Sequence, residues 1–249
     1  MLERLKRLKA EVPYGRWNEF LRGTVSAGIP AKKDLAFCKP GVQRACVTVC
    51  AGGCKGCVEL KEALEAELAR IGAPIEVGLA KTGCSGKCGF GPFLGFPQKL
   101  FFYTNVSPDD VPMIVEETLV NGKVLLEFLS ISPDRSYRPD VLFERETGCI
   151  AAIDETVSMV DVAKYFLAME KDLSCGKCIP CRQGFPRLNE IMDKIAAGNG
   201  TAKDLDAVVE LCQLMKLGAY CEFATASSRP VLSAIKYFED EFKALIKSE

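Results

Sequence analysis

Histidine is absent from all 249 residues. That one absence excludes Cys₂His₂ zinc sites, Rieske centres, His-ligated haem, and any Ser-His-Asp or Cys-His catalytic pair. Tetrathiolate zinc and all-cysteine iron–sulfur centres survive it. No apolar run approaches the 18 or more residues of a membrane span. The net charge is only −1, so the chain lacks the electrostatic footprint of a nucleic-acid binder. The basic start (Arg4, Lys6, Arg7, Lys9) reads as a solvated helix face. No GxGxxG phosphate loop occurs, and the glycine-rich stretch Gly83-Cys-Ser-Gly-Lys-Cys-Gly is cysteine-bearing instead. The opening Met1-Leu-Glu-Arg-Leu-Lys is charged and amphipathic rather than a signal peptide, so a cytoplasmic, reducing compartment is expected.

What the chain does have is cysteine: 13 of them, an odd number. At two- and three-residue spacing in a reducing compartment, cysteines are more often metal ligands than disulfide partners. Ser174-Cys175-Gly-Lys-Cys178-Ile-Pro-Cys181-Arg is followed forty positions later by Cys221. Three thiols at this spacing can close on one face of an iron–sulfur cube, and a distant fourth can complete the cage. Soft thiolates suit zinc or iron–sulfur. Zinc sites usually come as two CxxC pairs, whereas here three cysteines are contiguous and one is remote. Lys177, Arg182 and a helix starting near Cys181 all place positive charge or N–H groups near the sulfurs. A second set lies upstream: Cys46, Cys50, Cys54, Cys57, Cys84 and Cys88.

Along the chain, residues 1–40 read as an extension with a short amphipathic helix. Val42–Val49 reads as a buried strand, 58–71 as a helix with Leu60, Leu64, Leu68 and Ile71 on one face, and Ile75–Ala80 and Leu100–Tyr103 as further strands. Ser107-Pro108-Asp109-Asp110 starts a helix that ends at Asn121-Gly122. This order over 41–124 fits a thioredoxin-like α/β unit. Residues 125–157 read as a turn-rich connector. From Ser158 to the end four helices are expected, the third starting at Thr201 and the last opened by Pro230 at its first turn. The expected fold class is therefore α/β plus all-α, an α/β domain followed by a four-helix bundle.

Leu173-Ser-Cys-Gly-Lys-Cys-Ile-Pro-Cys-Arg-Gln-Gly resembles the [4Fe–4S] motif of the NADH-oxidising flavoprotein subunit of complex I and its relatives in NAD-linked hydrogenases and formate dehydrogenases. The approach Asp154-Glu-Thr-Val-Ser-Met-Val-Asp-Val-Ala-Lys-Tyr-Phe and the closing stretch from Cys221 through Pro230, Phe238 and Phe242 resemble the same family. About 100 residues are covered. The resemblance implies that Cys175, Cys178, Cys181 and Cys221 hold a [4Fe–4S] cluster. The family's FMN- and NADH-binding domain has no room in the interval 122–153, so no FMN or NAD is expected on this chain.

Thr82-Gly-Cys84-Ser-Gly-Lys-Cys88-Gly-Phe-Gly-Pro and Phe102-Tyr-Thr-Asn-Val-Ser-Pro-Asp-Asp-Val resemble the thioredoxin-like [2Fe–2S] domain often fused in front of that subunit. The resemblance implies a [2Fe–2S] cluster on Cys50, Cys54, Cys84 and Cys88. The first pair departs from the family's usual spacing of four intervening residues: Cys50-Ala-Gly-Gly-Cys54 has three. Cys57 is the alternative to Cys54, and a [4Fe–4S] cluster is the alternative in the same place. Two other readings of Cys50-x₃-Cys54-x₂-Cys57 exist. One is the radical-SAM spacing, which the few strands and Cys84/Cys88 argue against. The other is a thioredoxin-type Cys54/Cys57 active site. Cys38, Cys46, Cys149 and Cys212 are expected to be structural. The expectation is an electron-transfer subunit of a flavin- and NAD(P)-dependent complex, partnered by a flavin/NAD(P)-binding subunit and other iron–sulfur subunits. A thiol–disulfide oxidoreductase and a zinc-stapled assembly module are the rivals.

Overall fold

A computed structural model describes residues 35–39, 44–73, 75–130 and 138–247. The helix expected near the N-terminus lies outside the described residues. The first strand, β1 (Val47–Cys50), is β-branched and fully buried. Helix α1 (Lys55–Arg70) follows, three residues earlier than the apolar stripe suggests, so that Cys57 joins Leu60, Leu64 and Leu68 on its buried face. Then come β2 (Val77–Gly83), β3 (Leu94–Phe96) and β4 (Phe101–Tyr103). A helical segment α2 runs over 108–120 and opens with Pro108 behind a Ser107/Asp110 capping box. It widens into a π turn over Val115–Val120, where the Asn121 N–H donates to the Glu116 carbonyl five residues back.

Part of the expected connector is not a connector. Strands β5 (Val141–Phe143) and β6 (Ile150–Ala152) form a hairpin, and β6 pairs antiparallel with β2. The six-stranded sheet has the order β4-β3-β1-β2-β6-β5, with β1 and β2 its parallel pair.

The sheet's side-chain alternation sorts two cores. On one face Val47, Val49, Leu94, Phe96 and Tyr103 pack against α1 and α2 through Leu60, Leu64, Ile114 and Leu119. On the other face Cys50, Phe102, Ile150 and Ala152 join the core of the C-terminal helices. At Gly95 the two strands come so close that a Cβ would meet the Thr48 hydroxyl at 2.5 Å. The Thr48 hydroxyl itself donates to the Ile153 carbonyl at 2.6 Å.

The remainder is helical: α3 (Met159–Leu173), α4 (Ile179–Ala196), α5 (Ala202–Gly218), α6 (Phe223–Tyr237) and the short α7 (Glu239–Ala244). α3 packs against α4 and α6, and α5 against the same two, while α7 leans on α3 and α6. α5 starts where its sequence says, with Thr201 and Asp204 forming a reciprocal capping box. Pro230 does not open the last helix. It sits inside α6, where the Ser227 hydroxyl donates to the Phe223 carbonyl and the Ser228 hydroxyl to the Thr225 carbonyl. Both hydroxyls turn back onto carbonyls of their own helix, three or four residues earlier. The C-terminal apolar side chains therefore divide at Phe238, with Ile235 on α6 and Phe242 on α7.

Helices and sheet are joined directly. Lys81 on β2 reaches Glu241 on α7 at 2.7 Å and the Val157 carbonyl at 2.7 Å. The second oxygen of Glu241 accepts the Met159 N–H at the start of α3, 2.9 Å away. Tyr237 at the end of α6 lies so close over Gly83 that a Cβ there would be 2.6 Å from the tyrosine's own Cβ.

Candidate metal centres

The upstream cysteines meet at one end of the sheet. β1 delivers Cys50 at its last residue. The following loop makes Cys54 the residue that caps α1 and Cys57 part of its first turn, with Cys54 Sγ and Cys57 Sγ 3.0 Å apart. β2 ends at Gly83, and the next loop carries Cys84 and Cys88. Backbone N–H groups point at the sulfurs: Gly52 N lies 3.4 Å from Cys50 Sγ and Gly86 N lies 3.2 Å from Cys84 Sγ. Glycines clear the space. A Cβ on Gly91 would stand 2.7 Å from Cys88 Sγ, and one on Gly52 would stand 3.2 Å from Cys50 Sγ.

The thiols share protons unequally. A hydrogen bond from Cys57, helped by Gly52 and Thr82 against the effect of burial, brings Cys50 down to about 7. Its partner Cys57 is driven up, first by that same bond and then by burial. Cys88 is pushed up to about 12 by burial and by the neighbouring Cys84 and Cys50, and Cys84 is raised chiefly by burial. Cys50, Cys54, Cys57, Cys84 and Cys88 are thus one interacting set. Cys54 and Cys57 both belong to it.

A sixth thiol stands there, one that its sequence surroundings mark only as structural. Cys149, just before β6, is buried with its sulfur 3.5 Å from Cys84 Sγ. The missed signal is a short repeat: Thr82-Gly83-Cys84 and Thr147-Gly148-Cys149 end up side by side. The other three cysteines stand apart from the set. Cys212 is a buried thiol pushed up to about 12 by burial alone. Cys38 and Cys46 form a disulfide with Cα atoms 5.5 Å apart, where separate buried thiols were the expectation.

The downstream set gathers at the start of α4. Cys178 is the residue that caps this helix, and Gly176 before it has φ +63°, a left-handed turn that glycine adopts without strain. The N–H groups of Cys181 and Tyr220 donate to Cys178 Sγ and hold it below the usual thiol value. Cys181 is raised to about 11 by burial and by Cys178, with Cys221 adding to the effect. Cys178 and Cys181 are buried, while Cys175 and Cys221 are exposed. The loop before α6 therefore brings Tyr220 and Cys221 to the α4 N-terminus. Around this end stand exposed apolar side chains: Ile179, Leu217 and Tyr220, the last 89% exposed.

Among the described residues no three of these side chains converge closely enough for a single ion. Zinc needs its sulfurs about 2.3 Å from one point. An iron–sulfur cluster instead spreads its thiolates over several irons. The spacing, the N–H donors and the cleared glycine positions fit a cluster at the upstream place, and the spacing and the helix start fit one at the downstream place.

Residues 161–245 match the model of the NADH-ubiquinone oxidoreductase-F iron-sulfur binding region. The chain is 42% identical over 98 residues to the NADP-reducing hydrogenase subunit HndC of Solidesulfovibrio fructosivorans, covering 39% of this chain and 20% of the relative. It is 34% identical over 102 residues to the F subunit of the NADH-quinone oxidoreductase of Escherichia coli K12, covering 41% and 23%. The chain thus spans about a fifth of the length of the curated relatives it matches. Among solved structures, an NAD+-reducing [NiFe]-hydrogenase in the H2-reduced state matches at 28% identity with a TM-score of 0.38, over 40% of this chain and 17% of that one. Over residues 161–245 the chain is similar to the NADH-ubiquinone oxidoreductase-F iron-sulfur binding region, and its similarity to the F-type and hydrogenase subunits covers about two fifths of its own length.

Proposed function

We propose that this chain is an iron–sulfur electron-transfer subunit of a multi-subunit flavin- and NAD(P)-dependent oxidoreductase of hydrogenase, formate dehydrogenase or electron-bifurcating type. In this reading Cys175, Cys178, Cys181 and Cys221 hold a [4Fe–4S] cluster. A thioredoxin-like unit holds a second cluster with ligands among Cys50, Cys54, Cys84 and Cys88, and Cys57 is the alternative to Cys54. The helices over 158–249 are the bundle that frames the first site. Bound clusters supply one-electron exchange without atom transfer.

The observation that carries the reading is the α4 N-terminus. Cys178 caps this 18-residue helix and Cys181 lies in its first turn, both buried, within the segment that matches the iron–sulfur family model. A helix N-terminus favours the more negative, reduced state of a bound centre. Ile179, Leu217 and Tyr220 leave an apolar rim beside exposed Cys175 and Cys221. An apolar rim of this kind suits a partner that shields the centre from water. The flavin and NAD(P) belong to such partner chains in this reading.

Anaerobic purification with iron and acid-labile sulfide analysis tests it. About six irons per chain are expected for one [2Fe–2S] and one [4Fe–4S], or about eight for two cubes. Zinc without sulfide refutes it. A second reading, a dithiol at Cys54 and Cys57, draws support from their 3.0 Å contact at a helix start. It requires an iron-free chain in which oxidation removes those two thiols together.

A further inference from the structure

We propose that Cys149 is an iron ligand of the N-terminal centre, supplied by the β5–β6 hairpin; this rests on the iron–sulfur reading above. Sheet register sets the position. β2 and β6 pair antiparallel with Gly83 opposite Ile150, so Cys84 and Cys149 leave the ladder one step beyond the same pair. Their sulfurs lie 3.5 Å apart.

The surroundings of Cys149 are those of the other sulfurs in the set, not of a core thiol. Its sulfur stands against Cys84 Sγ, which the Gly86 N–H approaches at 3.2 Å, and its own N–H donates to the Thr147 hydroxyl at 3.3 Å. Cys212, equally buried, belongs to the apolar core of the helices instead. Gly148 takes φ +70°, and Glu144, just after β5, accepts the Gly89 N–H at 2.9 Å. The hairpin tip is thereby tied to the loop on both sides of Cys88.

A ligand from this hairpin gives the centre three attachment elements: the β1–α1 junction, the loop after β2, and the hairpin leading into α3. Loading the centre then clamps the sheet to the segment that starts the helical region.

The test is Cys149→Ser in the full chain, reconstituted anaerobically beside Cys212→Ser as a control that also buries a hydroxyl. Iron per chain and EPR of the dithionite-reduced protein are read. The expected result is loss of one-third to one-half of the iron, by the roughly six- or eight-iron count, or an altered N-terminal signal at unchanged iron. The C-terminal signal stays, and Cys212→Ser matches the unsubstituted chain. Unchanged iron and unchanged signals in Cys149→Ser overturn the proposal. Should Cys149→Ser fail to fold, iron-edge anomalous diffraction from the unsubstituted holo chain decides. Iron bonded to Cys149 Sγ supports the assignment, and iron bonded only to other sulfurs overturns it. An unsubstituted chain without iron and sulfide removes the electron-transfer reading itself, which distinguishes the two failures.

Discussion

The Lys81–Glu241 pair ties strand β2 to the C-terminal helices, and its removal has a size that can be worked out. Lys81 Nζ lies 2.7 Å from Glu241 Oε1 and 2.7 Å from the Val157 carbonyl, and the other Glu241 oxygen holds the Met159 N–H at 2.9 Å. The two side chains are 16% and 31% exposed. A fully exposed pair contributes about 0.2–1 kcal/mol. Breaking a fully buried pair costs about 3–5 kcal/mol, because a charge is left without a partner. This pair lies between those limits, so Glu241→Ala is expected to cost about 2 kcal/mol. For a chain of this size that lowers Tm by about 4–8 °C. Lys81→Met retains the apolar stem and is expected to cost less. Thermal melts of both single variants and of the double, followed by circular dichroism, give the coupling, expected at about 1–2 kcal/mol. A coupling under about 0.5 kcal/mol, the scatter expected for independent sites, would falsify the assignment of this contact as a staple between sheet and helices.

Other perturbations have defined outcomes. Tyr103→Phe removes a buried hydroxyl that accepts the Leu125 N–H at 2.7 Å and bonds Thr118 at 2.9 Å. It is expected to cost about 1–3 kcal/mol in urea unfolding, and adding Thr118→Val should cost less than the sum of the two singles. Gly83→Ala drives a Cβ into Tyr237 and should cost about 1–3 kcal/mol by overpacking; an unchanged Tm would show that α6 yields freely. Asp204 is held near 2, well below the usual 3.8, chiefly by Lys194 and then by Thr201. A depressed carboxylate stabilises the fold above its unfolded value and loses that contribution as pH falls through the folded one. Asp204→Asn should therefore cost about 1 kcal/mol at pH 7 through the lost capping box. It should also flatten the fall in unfolding free energy between about pH 4 and pH 2; parallel pH profiles of the two proteins would contradict this.

Sequence makes some elements legible and hides others for identifiable reasons. α5 is readable because Thr201 and Asp204 act on each other within one turn. α1 is readable from its leucine stripe, yet its start is not, since the cap is Cys54, which offers no side-chain hydrogen bond there. β3, β5 and β6 are three residues each, too short for an alternation to register, and β3 carries Gly95 at its centre. Their identity as strands comes from pairing partners, several of them distant in the chain. Pro230 reads as a helix start because the residue types around it do not disclose that Ser227 and Ser228 hydroxyls turn back onto α6's own carbonyls.

The same division runs through the candidate centres. Cys175, Cys178 and Cys181 are held by one loop and one helix start, so spacing alone discloses them, and only the remote Cys221 needs resemblance to be found. Cys50, Cys54, Cys57, Cys84 and Cys88 lie at or just beyond the ends of two neighbouring parallel strands, Cys50 pairing with Ala80 in register, so a strand–loop reading reaches them. Cys149 is different. It stands 65 positions from Cys84 with no second cysteine near it, so no spacing rule selects it. A β2–β6 register with Gly83 opposite Ile150 carries it to Cys84, and a one-residue slip would turn its side chain to the other face of the sheet. Inserting one residue within β6 should therefore withdraw Cys149 from the thiol set while leaving the five other cysteines in place. If iron at the N-terminal centre survives that insertion with its signal unchanged, register has no part in building the site.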